Sequence, residues 1–347
     1  MASGAGALTP TWIPATLCRV LVLSHDEVTA LLDVDALIDA LAPAMADLSA
    51  GRASVPDRIG AVIPEVDGRL FAMPGYVPSQ GSLVTKLVSL FPRNAGTALP
   101  THQAVIVVFD AATGEPAALL DGTVITAVRT GACSALSARL LAREDASVLA
   151  VLGTGVQARS HARAVSRVRP VHEIRIAGRN APRADALAAE LQKELDAEVR
   201  TVTSYREAMD GAHIVCATTH PGDPVVRREW LHPGTHVTSV GWAPAGRELD
   251  DATVADALIC VESRRVVLAA GSAAGSPDLT EPLRDGLITD DQLTEIGELV
   301  AGTRPGRTSP DQLTLYKSVG VAVQDATAAT LVLAAAREAG AGRHLSV

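Results

Sequence analysis

Short apolar runs separated by turn residues dominate the first part of the chain. They predict strands at 20–23, 70–73, 83–90 and 104–110. Ser24 and Asp26 are suitable caps for a following helix, and helical periodicity covers 34–48 and 123–142. The stretch 110–116 has the residues of a hairpin turn. This region therefore predicts a mixed, largely antiparallel sheet with helices.

The pattern changes at residue 148, where apolar strands begin to alternate with helical segments. The predicted strands lie at 148–152, 174–177, 214–217, 236–240 and 258–261. Such alternation is typical of right-handed βαβ units around a parallel sheet. An Ala/Val-rich tail predicts a last helix from Leu313 through Glu338, which we expect to pack back onto the first region.

The two patterns predict an α/β protein with a Rossmann domain and a mixed α+β domain. A chain of 347 residues exceeds what one core usually fills, which agrees with two domains. We place a loose arm at 1–19, the mixed domain at 20–140 plus 312–347, and the Rossmann domain at 141–311.

A glycine-rich turn follows the first strand of the predicted Rossmann domain. The strand at 148–152 leads into Gly153, Thr154, Gly155, Val156 and Gln157, with a small Ala at 158 and a helix after it. In this context the first glycine permits a sharp turn and the second lets the backbone approach a pyrophosphate. The motif predicts a dinucleotide site.

The end of the second strand bears on the choice of cofactor. An NAD site often carries an Asp or Glu there for the ribose hydroxyls. Here Gly178, Arg179 and Asn180 occupy that position, and a guanidinium suits a 2′-phosphate. We expect NADP(H) to be favoured over NAD(H); the alternative is that Arg179 lies on a solvated loop.

Composition and charge narrow the class of protein. The content is 48% hydrophobic and 20% charged, with a net charge of −9, which favours a globular fold and disfavours a nucleic-acid partner. The four cysteines form no CxxC pair, and His232 and His236 flank a Pro-Gly turn, so we assign no metal. We find no apolar run typical of a membrane helix and no signal peptide, and therefore expect a cytoplasmic protein.

Three cations lie in apolar surroundings of the first region. They are Arg58, Lys86 and Arg129. A buried cation needs a partner, and a substrate carboxylate can be that partner. For any one of them alone, a surface position or an ion pair is the simpler interpretation.

Several segments together resemble the ornithine cyclodeaminase/mu-crystallin family. They read KLVSLFPRN at 86–94, PTHQA at 100–104, LDGTVITAVRTGA at 120–132, LGTGVQARSH at 152–161 and YKSVGVAVQD at 316–325. The resemblance spans about 20–340. It implies a homodimer formed through the mixed-sheet domain, a Rossmann domain that binds NAD(P), and an active site in the cleft between the two domains.

The resemblance also implies roles for individual residues. Arg58, Lys86 and Arg129 match the family's carboxylate-binding cations, and Lys86 would also lie beside the reacting carbon and nitrogen. Thr101 and His102 would line the cleft, although a histidine beside a strand is more often structural. We assign the remaining cofactor contacts to Thr130, Thr218, Gly241 and Lys317.

The chain departs from the family pattern in the loop after Gly241. Ornithine cyclodeaminases carry an aspartate there, whereas this loop begins with Trp242 and has no carboxylate before Arg247. Trp242 favours a nonpolar or flat substrate, or it packs beneath the nicotinamide loop.

The expected activity is hydride transfer at the C–N bond of a small amino or imino acid, in which Lys86 stabilises charge near the imine or serves as proton donor. Two alternatives stay open. One is cyclodeamination of ornithine with Glu248 or Asp325 as the acid. The other is a mu-crystallin-like NADPH-binding protein without turnover.

Overall fold

The computed structural model describes residues 19–241, 246–269 and 275–346. The predicted N-terminal arm therefore lies outside the described residues, apart from Arg19. Trp242 also lies outside them.

The first sheet has seven strands in the order β15-β1-β6-β5-β4-β3-β2. Their bounds are β1 Arg19–Leu23, β2 Ile59–Ile63, β3 Gly68–Val77, β4 Ser82–Leu90, β5 His102–Asp110, β6 Pro116–Asp121 and β15 Arg343–Ser346. The β1–β6 pair is parallel and all other pairs are antiparallel. The mixed, largely antiparallel sheet predicted from the sequence is confirmed.

Helices cover one face of this sheet. They are α1 His25–Leu31, α2 Val34–Ser49, α3 Gly122–Leu141 and α11 Ala322–Ala339. Helix α1 begins where expected, because Ser24 and Glu27 form a reciprocal capping box. Alternation along β4 turns Val84, Lys86 and Val88 to the covered face, where α11 packs. One charged side chain is thereby placed in an otherwise apolar layer.

The opposite face of the sheet carries apolar side chains that the other described residues leave exposed. Leu87 lies directly across from Val105 and from Ala72 on the flanking strands. Leu70, Leu87 and Val105 are 47%, 36% and 42% exposed. Along the edge strand β2, all five residues are exposed. An apolar surface of this kind is typical of a protein interface.

The second sheet has eight parallel strands in the order β13-β12-β14-β11-β10-β7-β8-β9. The strands are β7 Val148–Leu152, β8 Glu173–Ala177, β9 Glu198–Thr201, β10 Ile214–Ala217, β11 His236–Ser239, β12 Leu258–Val261, β13 Leu293–Glu295 and β14 Thr314–Lys317. The intervening helices are α4 Val156–Val165, α5 Ala181–Glu194, α6 Tyr205–Met209, α7 Asp251–Asp256, α8 Arg264–Val267, α9 Pro277–Arg284 and α10 Ile296–Val300. Strand order reverses between β7 and β10, where α/β sheets bind ligands.

The prediction of a helix from Leu313 is wrong at its start. Thr314–Lys317 forms strand β14, which pairs with β11 and β12, and helix α11 begins only at Ala322. All four strand residues are buried, so sheet pairing overrides the helical tendency of the Ala-rich residues that follow. The chain therefore leaves the parallel sheet after Lys317, not at 312. As expected, α11 then packs onto α2, α3 and the first sheet.

Helix α3 has the length and apolar composition of a membrane span, which the sequence analysis did not recognise. Of its most apolar 18-residue window, 72% is buried inside the protein. A Cβ on Gly131 would lie 2.4 Å from the Ser160 hydroxyl of α4, so the two helices are in close contact. Burial on this scale is typical of a core helix.

Candidate active site

The glycine turn after β7 has the geometry of an anion site. Gly153 has a φ of +119°, and a Cβ there would lie 2.6 Å from the Thr218 hydroxyl. Gly155 is the N-cap of α4 with no side-chain cap, and open space surrounds its missing Cβ. The first N–H groups of α4, including those of Val156 and Gln157, are thus left for a ligand. These residues fit the pyrophosphate of a dinucleotide.

The residues that follow β8 pack against the same glycine turn. A Cβ on Gly178 would lie 2.5 Å from the Thr154 methyl group, so only glycine fits there. Arg179 is exposed, and within 19–241, 246–269 and 275–346 its guanidinium has no ion pair or side-chain hydrogen bond. The Asn180 side chain caps α5 by accepting from the Arg183 N–H at 3.0 Å. Asn180 thus has a structural role that the sequence analysis did not assign to it.

Two hydroxyls that we assigned to the cofactor site donate to nearby backbone. Thr130 Oγ1 donates to the Thr126 carbonyl at 2.8 Å, and Thr218 Oγ1 donates to the Leu152 carbonyl at 2.8 Å. The second bond ties the end of β10 to the strand that carries the glycine turn. Each hydroxyl can therefore still accept a hydrogen bond from a ligand, but its own proton is already donated to the backbone.

Lys317 does not line the cleft as we predicted. Its side chain is 0% exposed and lies 2.8 Å from Asp278. The ammonium also donates to Ser239 Oγ and to the Gly241 carbonyl, each at 2.9 Å. Direct contact with a cofactor is therefore a wrong prediction, since the side chain ends inside the domain.

Three cations predicted from sequence meet at the start of α11. The Asp325 carboxylate in its first turn lies 2.8 Å from Lys86 Nζ and 3.1 Å from Arg129 Nε. The side chains of Asp325, Lys86 and Arg129 are buried. Arg58 approaches from the other side and donates to the Gly320 carbonyl at 2.8 Å.

A second carboxylate, Glu262, fixes the segment between β14 and α11. It accepts from the Val319 and Gly320 N–H groups, each at 3.0 Å, and from Gln324 Nε2 at 3.2 Å. Gln324 in turn accepts from Arg129. The cluster thus contains three cations and two carboxylates, which leaves one positive charge without a countercharge among the residues that the structure describes. Glu262 was missed from sequence, although its position directly after β12 at the carboxyl edge of the sheet is a signal.

The charges in this cluster shift each other's proton affinity. Burial lowers the pKa of Lys86 to about 8, with Asp325 opposing the shift and Arg129 adding to it. Burial alone would raise the pKa of the Asp325 carboxyl, but Arg129 and Lys86 hold it below its ordinary value. Lys86 is therefore a proton donor near neutral pH, and Asp325 stays ionised.

Two histidines come near each other from different domains. His102 begins β5, with Thr101 Oγ1 3.3 Å from its Nδ1, and His220 follows β10. Desolvation lowers the pKa of His102, although the residue is exposed, and His220 and Lys86 lower it further. Desolvation also lowers the pKa of His220, so both rings are neutral at pH 7. His220 was missed from sequence because only the fold brings it to His102.

Glu248 and Asp325, the two acids considered for cyclodeamination, already accept hydrogen bonds or ion pairs from the protein. Glu248 is buried and accepts from the Thr219 N–H and hydroxyl, from Ser239 Oγ and from the Gly241 N–H. Asp325 is held by Lys86 and Arg129. Neither is free to accept a second substrate amine. Among the described residues, no group of three His, Cys, Asp or Glu side chains has the spacing of a metal site.

Comparison with known proteins gives a consistent result. The model of the ornithine cyclodeaminase/mu-crystallin family matches residues 19–340. Ketimine reductase mu-crystallin of Mus musculus is 35% identical over 300 residues, which cover 85% of this chain and 90% of the mouse protein.

Solved structures share the whole architecture. The Thermococcus litoralis Δ1-pyrroline-2-carboxylate reductase, in complex with NADH and L-proline, has a TM-score of 0.89 and 36% identity, with 94% of this chain and 100% of that chain covered. An archaeal alanine dehydrogenase dimer with bound NAD has a TM-score of 0.85 and 28% identity, with 94% and 99% covered. With its glycine turn, buried cation cluster and two-domain cleft, the chain belongs to the ornithine cyclodeaminase/mu-crystallin family.

Proposed function

We propose that this protein is an NAD(P)H-dependent reductase of small 2-imino acids, which converts a C=N bond beside a carboxylate into an amine. The family relatives named as ketimine and pyrroline-2-carboxylate reductases support this activity. The observation that carries the proposal is the cluster of Arg58, Lys86 and Arg129 with its single uncompensated positive charge. A monocarboxylate substrate balances that charge.

The residues of the chain have separate tasks in this reaction. Arg58 and Arg129 present guanidinium groups to the substrate carboxylate, and Lys86 presents an ammonium with a pKa of about 8. Bound NAD(P)H supplies the hydride to the imine carbon. Lys86 supplies the proton to the imine nitrogen, so that one hydride and one proton together form the amine.

The choice between the two cofactors rests on Arg179. Its exposed guanidinium follows β8, with no acidic residue at positions 178–180 to receive ribose hydroxyls. A charge-assisted, forked contact to a 2′-phosphate fits this arrangement. We therefore favour NADP(H).

The quaternary structure that we propose is a homodimer. The uncovered apolar face around Leu87 and Val105 is the surface that a second copy would bury. The dimeric form of the archaeal relative supports this assembly. We place the protein in the cytoplasm.

The test is oxidation of NADPH and of NADH at 340 nm with cyclic ketimines and with 2-oxo acids plus ammonia or methylamine. We expect activity on an imine that carries one carboxylate. Ornithine is assayed separately for ammonia release. Release of ammonia without imine reduction would replace the proposal with cyclodeamination, and tight cofactor binding without any turnover would replace it with a binding protein.

A further inference from the structure

The peptide groups of Gly241 are held by buried charges of opposite sign. Its N–H donates to Glu248 at 2.8 Å, and its carbonyl accepts from the Lys317 ammonium at 2.9 Å. A Cβ at this position would lie 2.2 Å from the Thr219 carbonyl and 2.3 Å from Glu248 Cδ. Among the described residues, the N–H, the carbonyl and the Cα of Gly241 are thus all in close contact with neighbours.

The groups that hold Gly241 form one buried network. Lys317 lies 2.8 Å from Asp278, and Asp278 accepts from the Glu248 N–H at 2.8 Å. Ser239 Oγ bonds to both Lys317 and Glu248. These side chains come from β11, the segment before α7, α9 and β14, so the network joins four separate parts of the domain.

The position of this network in the sheet indicates what it supports. A dinucleotide lies across the carboxyl edge of a doubly wound sheet, on both sides of the point where strand order reverses. Arg179 and the glycine turn lie on the β7–β8 side, which takes the adenosine half. Gly241 follows β11 on the other side, which takes the nicotinamide half.

We infer that Lys317, Asp278 and Glu248 are positioning residues that set the affinity for the nicotinamide half of the cofactor by fixing the Gly241 peptide. None of the three needs to touch the cofactor, because their side chains are buried. Lys317 acts through the carbonyl of Gly241 and Glu248 through its N–H. The inference rests on the proposed function only in requiring a nicotinamide dinucleotide.

The test compares whole cofactors with fragments that lack nicotinamide. The double variant Lys317→Met/Asp278→Asn removes one charge of each sign, so that the net charge of the buried network, which still contains Glu248, does not change. Dissociation constants are measured for NADPH and 2′-phospho-ADP-ribose, and for NADH and ADP-ribose. We expect the dissociation constant of each whole cofactor, NADPH or NADH, to rise about tenfold. The dissociation constant of the matching fragment without nicotinamide should rise less than about twofold.

Two further variants separate this role from a general loss of stability. Ser239→Ala keeps both charges. It should also weaken binding of the whole cofactor, but by less than the double variant does. Arg264→Met/Glu298→Gln removes a different ion pair of the same domain, between α8 and α10, and should leave both affinities unchanged. Equal weakening of cofactor and fragment, or no weakening of the cofactor, would overturn the inference alone. Absence of dinucleotide binding by the unaltered protein would overturn the proposed function and the inference together.

Discussion

The ammonium of Lys86 lies 2.8 Å from the carboxylate of Asp325, with both side chains inside the protein at 2% and 0% exposure. The two groups come from facing elements, strand β4 and the first turn of helix α11. Because Arg129 shares the same carboxylate, Lys86 is only partly neutralised. Burial therefore outweighs the effect of Asp325 and, with Arg129, lowers the pKa of Lys86 below that of a surface lysine.

Replacement of Lys86 by Met should lower kcat for imine reduction by about 10²- to 10⁴-fold, the range for loss of a general acid. Binding of NADPH should be spared, because the glycine turn is unchanged. Stopped-flow absorbance and a fluorescence titration measure the two quantities. Near-normal rates with every active substrate would show that Lys86 is not the proton donor.

The reductive rate should fall as pH rises through about 8, where the Lys86 ammonium loses its proton. A proton donor works only in its protonated form, so activity is full below this pKa and is lost above it. The measurement is kcat/KM for the imine against pH. A profile that stays level well above pH 8 would exclude Lys86 as the titrating group.

The variant Asp325→Asn should move this alkaline limb to lower pH. Asp325 raises the pKa of Lys86, whereas burial, Arg129 and Arg58 lower it, so removal of the carboxylate leaves only the lowering effects. The same pH series on the variant measures the shift. An unchanged limb would mean that the pair in the structure does not control the proton.

Gly320→Ala should weaken binding of the imino acid. Gly320 has a φ of +77°, and a Cβ there would lie 2.9 Å from the Arg129 guanidinium. Gly302, with a φ of +67° and no neighbour within 4 Å, is the matched control. Both substitutions should cost about 1–2 kcal/mol of stability through the backbone. Only Gly320→Ala should raise KM for the imine; an equal rise in both would refute a role for the Arg129 contact.

Arg179→Ala should raise KM for NADPH by about 10- to 100-fold with little change for NADH. The control is Arg284→Ala, which removes an exposed arginine paired with its neighbour Asp285. Steady-state kinetics with both cofactors measure the effect. If both KM values change together, Arg179 does not discriminate by the 2′-phosphate.

Val105→Lys should dissociate the proposed dimer, since a charge at the centre of the apolar face opposes its burial. Leu287→Lys places the same charge at another exposed leucine, on the other domain, and should leave the assembly unchanged. Size-exclusion chromatography with light scattering measures the mass. A dimer that survives Val105→Lys would locate the interface elsewhere.

Periodicity and turn residues were sufficient to predict the central strands of both sheets and the glycine turn. They did not predict β2, β9, β13, β14 and β15. At β14, a four-residue strand buried between two others has no alternation to reveal it. The cations at 58, 86 and 129 were predicted by their apolar surroundings and by family resemblance. Asp325, the partner of Lys86 and Arg129, was considered only as a substitute acid, since sequence separation of about two hundred residues conceals an ion pair.

The role of Lys317 was likewise not evident from the sequence. A lysine near the start of a predicted helix can reach solvent or a ligand, whereas this lysine ends a buried strand and its side chain lies inside the domain. The sequence did not show which of the two applies.

The short link from Lys317 to Ala322 limits how the two domains can move. Glu262 holds the N–H groups of Val319 and Gly320, and Arg58 holds the Gly320 carbonyl. A hinge needs backbone that can change its dihedral angles freely, and this link has little such freedom. We therefore expect this link to resist bending, so that any change in the width of the cleft on substrate binding depends on other segments of the chain.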